Sequence, residues 1–63
     1  MTTEDVLKAL GQYTKQAEEG HRRTAAMLGV KRATLRAWLD RRDPPEKITV
    51  ARLAGFLRRV GYL

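Results

Sequence analysis

Glycine and proline cut this chain into short lengths, and that punctuation constrains its fold more than any other feature. Gly20, Gly29 and Gly61 each stand where an apolar helical period ends, and Asp43-Pro44-Pro45-Glu46 interrupts another. Strand signals are weak, because no stretch sustains alternation and no Asn-Gly or Asp-Gly pair marks a hairpin. The segments between the breaks read as helices. Thr2 or Thr3 caps the first, with Glu4 and Asp5 in its opening turn, where the helix dipole favours acids. Val6, Leu7, Leu10, Tyr13, Thr14 and Ala17 then recur at three- and four-residue steps and form one face. This predicts helix 1 over about 3–19, stopped by Gly20, with Gly11 inside it at a cost of roughly 1 kcal/mol relative to Ala. Helix 2 is expected from His21 to Leu28, closed by Gly29. Helix 3 is expected over about 32–42, with Leu35, Trp38 and Leu39 as its inward stripe and Arg41 and Arg42 suited to its C-terminal end. Helix 4 is expected from an N-cap at Thr49 to Gly61, with Val50, Leu53, Ala54, Leu57 and Val60 on its apolar face and Phe56 beside it. The expectation is an all-α fold: a compact bundle of four, at most five, short helices in a single domain over 1–63.

Size and composition then exclude several classes of function. A chain of 63 residues can bury one small core and has little room for a catalytic pocket with its own supporting shell, so no enzyme is expected. It has no cysteine, hence no disulfide and no thiolate metal site, and His21 is a lone histidine without companion ligands. No metal, cofactor or small-molecule substrate is therefore expected, and no second domain is in view to house an inducer. No apolar run approaches the ~18 residues of a membrane span. Met1 leads directly into Thr2-Thr3-Glu4-Asp5, unlike the basic start and apolar stretch of a signal peptide. A soluble, cytoplasmic protein with no membrane partner is the expectation.

The formal charge of +6 is unevenly placed. Residues 1–20 set Lys8 and Lys15 against Glu4, Asp5, Glu18 and Glu19. Residues 21–42 set Arg22, Arg23, Lys31, Arg32, Arg36, Arg41 and Arg42 against Asp40 alone. The positive field is thus concentrated in the middle third. Arginine dominates there, and its planar fork matches phosphates and base edges. A solvated basic face that only maintains solubility would show the same charge cluster.

The segment from Gly20 to Leu39 has a spacing with a geometric reason. Ala25, four residues before Gly29, is a small side chain on the inner face of helix 2 that lets the next helix cross closely. Gly29 can take a positive φ and turn the chain, Val30 plugs the turn, and Leu35 and Trp38 face inward against Leu28. These residues resemble the prokaryotic helix-turn-helix DNA-binding family, with the helix-turn-helix at about 21–42. Gln12-Tyr13-Thr14 and the run from Gly20 to Arg36 are similar to the Fis-type nucleoid and enhancer-binding module. The stretch from Pro45 to Leu57 is more similar to the tail of the phage repressor and Cro class. The sequence departs from the family at Lys31, where a capping Ser or Thr is common, and at Thr24, where an apolar residue is common.

The resemblance implies a role for each outward residue. Helix 3 would lie in the major groove of double-stranded DNA while helix 2 crosses the backbone. Arg32 and Arg36, one turn apart, would each reach guanine O6 and N7. Ala33 and Ala37 would touch thymine methyl groups, and Lys31 and Thr34 would meet phosphate. His21 and Arg22 would hold a phosphate at the start of helix 2, and Arg41, with Arg42, would reach the far strand. Against these roles, Arg36 and Asp40 are spaced to pair with each other on the helix surface. Trp38, at its helical position, is expected in the core rather than as a stacking platform for bases.

The implied function is sequence-specific regulation of transcription, as a repressor bound to a palindromic operator. A homodimer is expected, because one short domain has a thin stability margin and one half-site discriminates poorly. Phe56, Val60, Tyr62 and Leu63 are the candidate dimer interface. Two alternatives stay open at this stage. One is a nucleoid-like protein that coats DNA without sequence choice. The other is an adaptor that turns the same basic face to an acidic protein of the transcription machinery.

Overall fold

Thr2 starts the first helix by a reciprocal pair of bonds. Its Oγ1 accepts the Asp5 N–H at 3.1 Å, and Asp5 Oδ2 accepts the Thr2 N–H at 3.0 Å. This capping box satisfies two amide donors that helix geometry would leave unpaired. The computed structural model describes residues 2–18 and 20–63. Met1 and Glu19, the latter expected within helix 1, lie outside the described residues.

The chain forms four helices: α1 (Thr3–Gln16), α2 (Gly20–Leu28), α3 (Arg32–Leu39) and α4 (Lys47–Arg59). Among the described residues there is no strand, and the molecule is a small all-α bundle. At the level of backbone contact, α1 lies against all three other helices, α2 lies against α3, and α4 lies against α1 alone. The core follows from that arrangement. Val6, Leu7 and Leu10 of α1 meet Ala25 of α2, Leu35 and Trp38 of α3, and Leu53, Phe56 and Leu57 of α4. Leu10, Leu35 and Leu57 are fully enclosed, and burying each leucine contributes about 1.5–3 kcal/mol. Thr24 is enclosed as well, and its hydroxyl has no hydrogen-bond partner.

Four helix limits differ from the sequence expectation, each for a local reason. The first helix ends at Gln16, because Ala17 is extended (φ −76, ψ 141) and its N–H bonds the Tyr13 carbonyl at 2.9 Å. Gly20 is not a stop for α1 but the first residue of α2. A Cβ there would stand 2.5 Å from the Thr14 carbonyl oxygen, so glycine is what lets α2 begin this close to the end of α1. The third helix ends at Leu39 rather than near Arg42. Arg41 takes a left-handed conformation (φ 59), and the N–H groups of Arg41 and Arg42 bond the carbonyls of Trp38 (3.1 Å) and Ala37 (3.0 Å). That is a Schellman ending built on an arginine. The fourth helix begins at Lys47, not after Thr49. The extended Glu46 is its N-cap, without a side-chain capping bond, and its carbonyl accepts the Val50 N–H at 2.9 Å.

The expected dimer patch is also corrected at one residue. Phe56 is 8% exposed, and its ring meets the Tyr13 ring edge-on at 5.2 Å. It belongs to the core of the single chain, because α4 turns that face onto α1. Tyr62 is half-buried against the other side of Tyr13, at 5.4 Å, with its hydroxyl donating to Gln16 Oε1. Val60 and Leu63 remain exposed. No helix among the described residues is long and apolar enough to cross a membrane.

Candidate nucleic-acid interface

The interface is built from the turn upward. Gly29 has φ 72, which the chain needs to leave α2. The N–H groups of Gly29 and Val30 close the helix on the carbonyls of Ala26 (3.2 Å) and Ala25 (3.0 Å). This is the same Schellman pattern that ends α3. Val30 is half-buried against the core, and Lys31 follows in an extended conformation as the N-cap of α3. Lys31 makes no capping bond, as a side chain that can only donate must fail to do.

From there α3 shows two faces. Leu35 (0% exposed) and Trp38 (7%) are pressed into the core, with Leu28 and Leu39 packed beside them. Lys31, Arg32, Ala33 and Arg36 are exposed, while Thr34 and Ala37 are half-buried at the edge of that surface. Arg36 lies four residues after Arg32, so the two side chains leave the same side of the helix from backbone positions about 6 Å apart along its axis. The alanines between and beside them keep that side low. His21 and Arg22 are exposed in the first turn of α2.

Ion pairing sorts the arginines. Among the described residues, no acidic side chain pairs with Arg22, Lys31, Arg32 or Arg36. Asp40, spaced to reach Arg36, instead lies 3.3 Å from Arg42. Arg41 is held by Glu4, with Nε to Oε1 at 2.9 Å and the terminal nitrogen to Oε2 at 2.6 Å. The Arg41 hydrogen bonds hold the Glu4 carboxyl below the usual carboxylate range, and Glu4 in turn raises the Arg41 guanidinium. Whereas Arg22, Lys31, Arg32 and Arg36 have no acidic partner among the described residues, Arg41 in the free chain is thus paired, on an exposed surface. The left-handed backbone after Asp40 turns it back toward α1.

Sequence reasoning missed Arg52. It is exposed on α4 and lies at the mouth of a cleft whose wall is the Gly29–Val30 turn. Its distance from the turn along the chain hides it, and only the packing of α4 on α1 brings it alongside. Among the described residues, no group of three histidine or acidic side chains converges as a metal site would require. No protein-family model matches the chain, and neither does a curated protein or a solved structure.

Proposed function

We propose that α2, its turn and α3 act as a helix-turn-helix that binds double-stranded DNA, with α3 in the major groove. One observation carries the reading. The exposed side of α3 presents two arginines that have no acidic partner among the described residues, on a low alanine surface, while the opposite side is locked into the core by Leu35 and Trp38. A helix held that way fixes the position from which two arginines can offer bidentate donors to guanine edges. Lys31 at the helix start and His21 and Arg22 at the start of α2 supply cations for the phosphates, which fix register without reading sequence. On the resemblance to the phage repressor and Cro class, the reading extends to a repressor of transcription.

A single α3 spans too few base pairs to stand out among the ~10⁶–10⁹ competing sites of a genome. The reading therefore includes a two-fold dimer through Val60, Tyr62 and Leu63, now without Phe56. Val60 and Leu63, either side of Tyr62 in sequence, are 38% and 40% exposed, which leaves apolar surface for a contact there. The test is a titration of labelled duplex at several salt concentrations, with mass measured on and off DNA. Affinity should fall with a log–log slope of about −0.9 per phosphate neutralised, and the complex should contain two chains. Absence of binding at low salt would overturn the DNA reading, and a one-chain complex would remove the dimer.

A further inference from the structure

The strongest unassigned feature is the cleft where α4 fails to meet the α2–α3 turn. Because α4 lies against α1 alone, a gap of about 230 Å³ is left between it and that turn. The floor is apolar: Leu28, Val30, Trp38 and Leu53. At the mouth stand Thr49, which carries a hydroxyl, and Arg52, which carries a guanidinium. No acidic side chain lines the cleft, and none among the described residues pairs with Arg52.

That combination selects its ligand by exclusion. A bare phosphate would use the guanidinium and leave the apolar floor wet. A neutral hydrocarbon would cover the floor and make no use of the exposed guanidinium. An apolar body ending in one anionic head uses both, and a small number of polar groups at the rim of an apolar pocket is how small-molecule sites fix orientation. The volume suits one ring and its carboxylate rather than a nucleotide. The indole of Trp38 in the floor adds an aromatic surface for edge or offset contact. We infer that this cleft binds a small aromatic monocarboxylate, its ring against Trp38, Leu28 and Leu53 and its carboxylate on Arg52 and Thr49.

The site stands without the DNA reading, but it bears on it. The cleft wall is the turn whose conformation sets how α3 leaves α2, so an occupant there would alter DNA affinity if the DNA reading holds. Binding itself is measured without DNA. Trp38 is the sole tryptophan, so its fluorescence reports on the cleft directly. Benzoate is the probe, with benzamide and inorganic phosphate as its uncharged and ring-free controls. Benzoate should give a saturable change with half-saturation at about 1 mM, the scale for so small a ligand. Amide shifts should be confined to Gly29, Val30 and the 49–53 turn of α4. Benzamide and phosphate should each bind at least tenfold more weakly, and so should benzoate to Arg52→Gln. Thr49→Val should give a smaller loss. Arg52 is on the surface, so its replacement leaves the fold intact, which the amide spectrum verifies. Unsaturable benzoate shifts spread over the basic surface would overturn the inference. So would phosphate binding as tightly as benzoate, or an Arg52→Gln variant with unchanged affinity.

Discussion

The two ends of α3 carry the same kind of residue to opposite purposes. At its start, Lys31 and Arg32 follow a turn made by Gly29, and with Arg36 they have no acidic partner among the described residues. At its close, Arg41 and Arg42 follow a turn made by an arginine, and both are engaged, with Glu4 and Asp40. Both turns use the same pair of backbone bonds. Glycine takes the left-handed conformation at no steric cost, whereas for other L-residues that conformation costs about 1–2 kcal/mol. At Arg41 the two backbone bonds of the turn offset that cost, and the side chain pairs with Glu4 on an exposed surface. A basic segment thus divides into cations paired with acidic side chains and cations without an acidic partner among the described residues, and counting charge along the chain does not separate them.

The comparison can be broken in several places. The largest effect is at Leu35, whose removal to Ala takes away the support common to both ends. A loss of roughly 2–5 kcal/mol is expected, enough to leave so small a domain largely unfolded by circular dichroism. Next comes the functional contrast. Arg32→Ala and Arg36→Ala should each cost about 1–3 kcal/mol of DNA affinity and relax sequence preference. Arg22→Ala should weaken all sequences alike, and Arg41→Ala should change affinity least of the four. Equal losses for Arg41 and Arg36 would erase the distinction between the two ends.

Turn swaps are smaller and opposite in sign. Gly29→Ala should destabilise by about 1 kcal/mol, because alanine is forced to positive φ. Arg41→Gly should raise the melting temperature slightly, since relief of the left-handed residue outweighs an ion pair open to solvent. The smallest effect is on acid stability. Arg41 depresses Glu4, and the backbone N–H of Thr2 depresses Asp5. A depressed carboxyl contributes stability above its unfolded-state value, near 4, and that contribution is lost as pH falls through the lower folded value. Urea midpoints should therefore decline below about pH 4, and Glu4→Gln should flatten part of that decline.

Much of this architecture was legible in the residues. Helical periodicity located four helices, and the inward placement of Leu35 and Trp38 followed from their spacing. Gly29 announced its turn because a backbone position that needs positive φ leaves a residue-type signature. Arg41 left none, since arginine is not a residue type that favours positive φ, and its side-chain partner Glu4 lies 37 residues away in sequence. Gly20 was visible as a break but not as a contact, because its reason is the Thr14 carbonyl across the α1–α2 junction. Phe56 was misplaced for a related reason: it lies at the edge of an apolar stripe, and only the packing of Tyr13 decides which side of that edge is covered. On the outward face of α3 the exposure of Lys31, Arg32, Ala33 and Arg36 was readable, but Ala37, expected outward, is half-buried, and the place of Arg52 beside the turn required the assembled bundle.

Selection of bound duplexes from a random pool tests the central claim most directly. The account predicts that the chain enriches a palindrome with guanines in each half-site, and that Arg32→Ala and Arg36→Ala lose those guanines while Arg41→Ala keeps them. A pool returned without enrichment, or one in which all three variants recover the same motif as the parent, would contradict it.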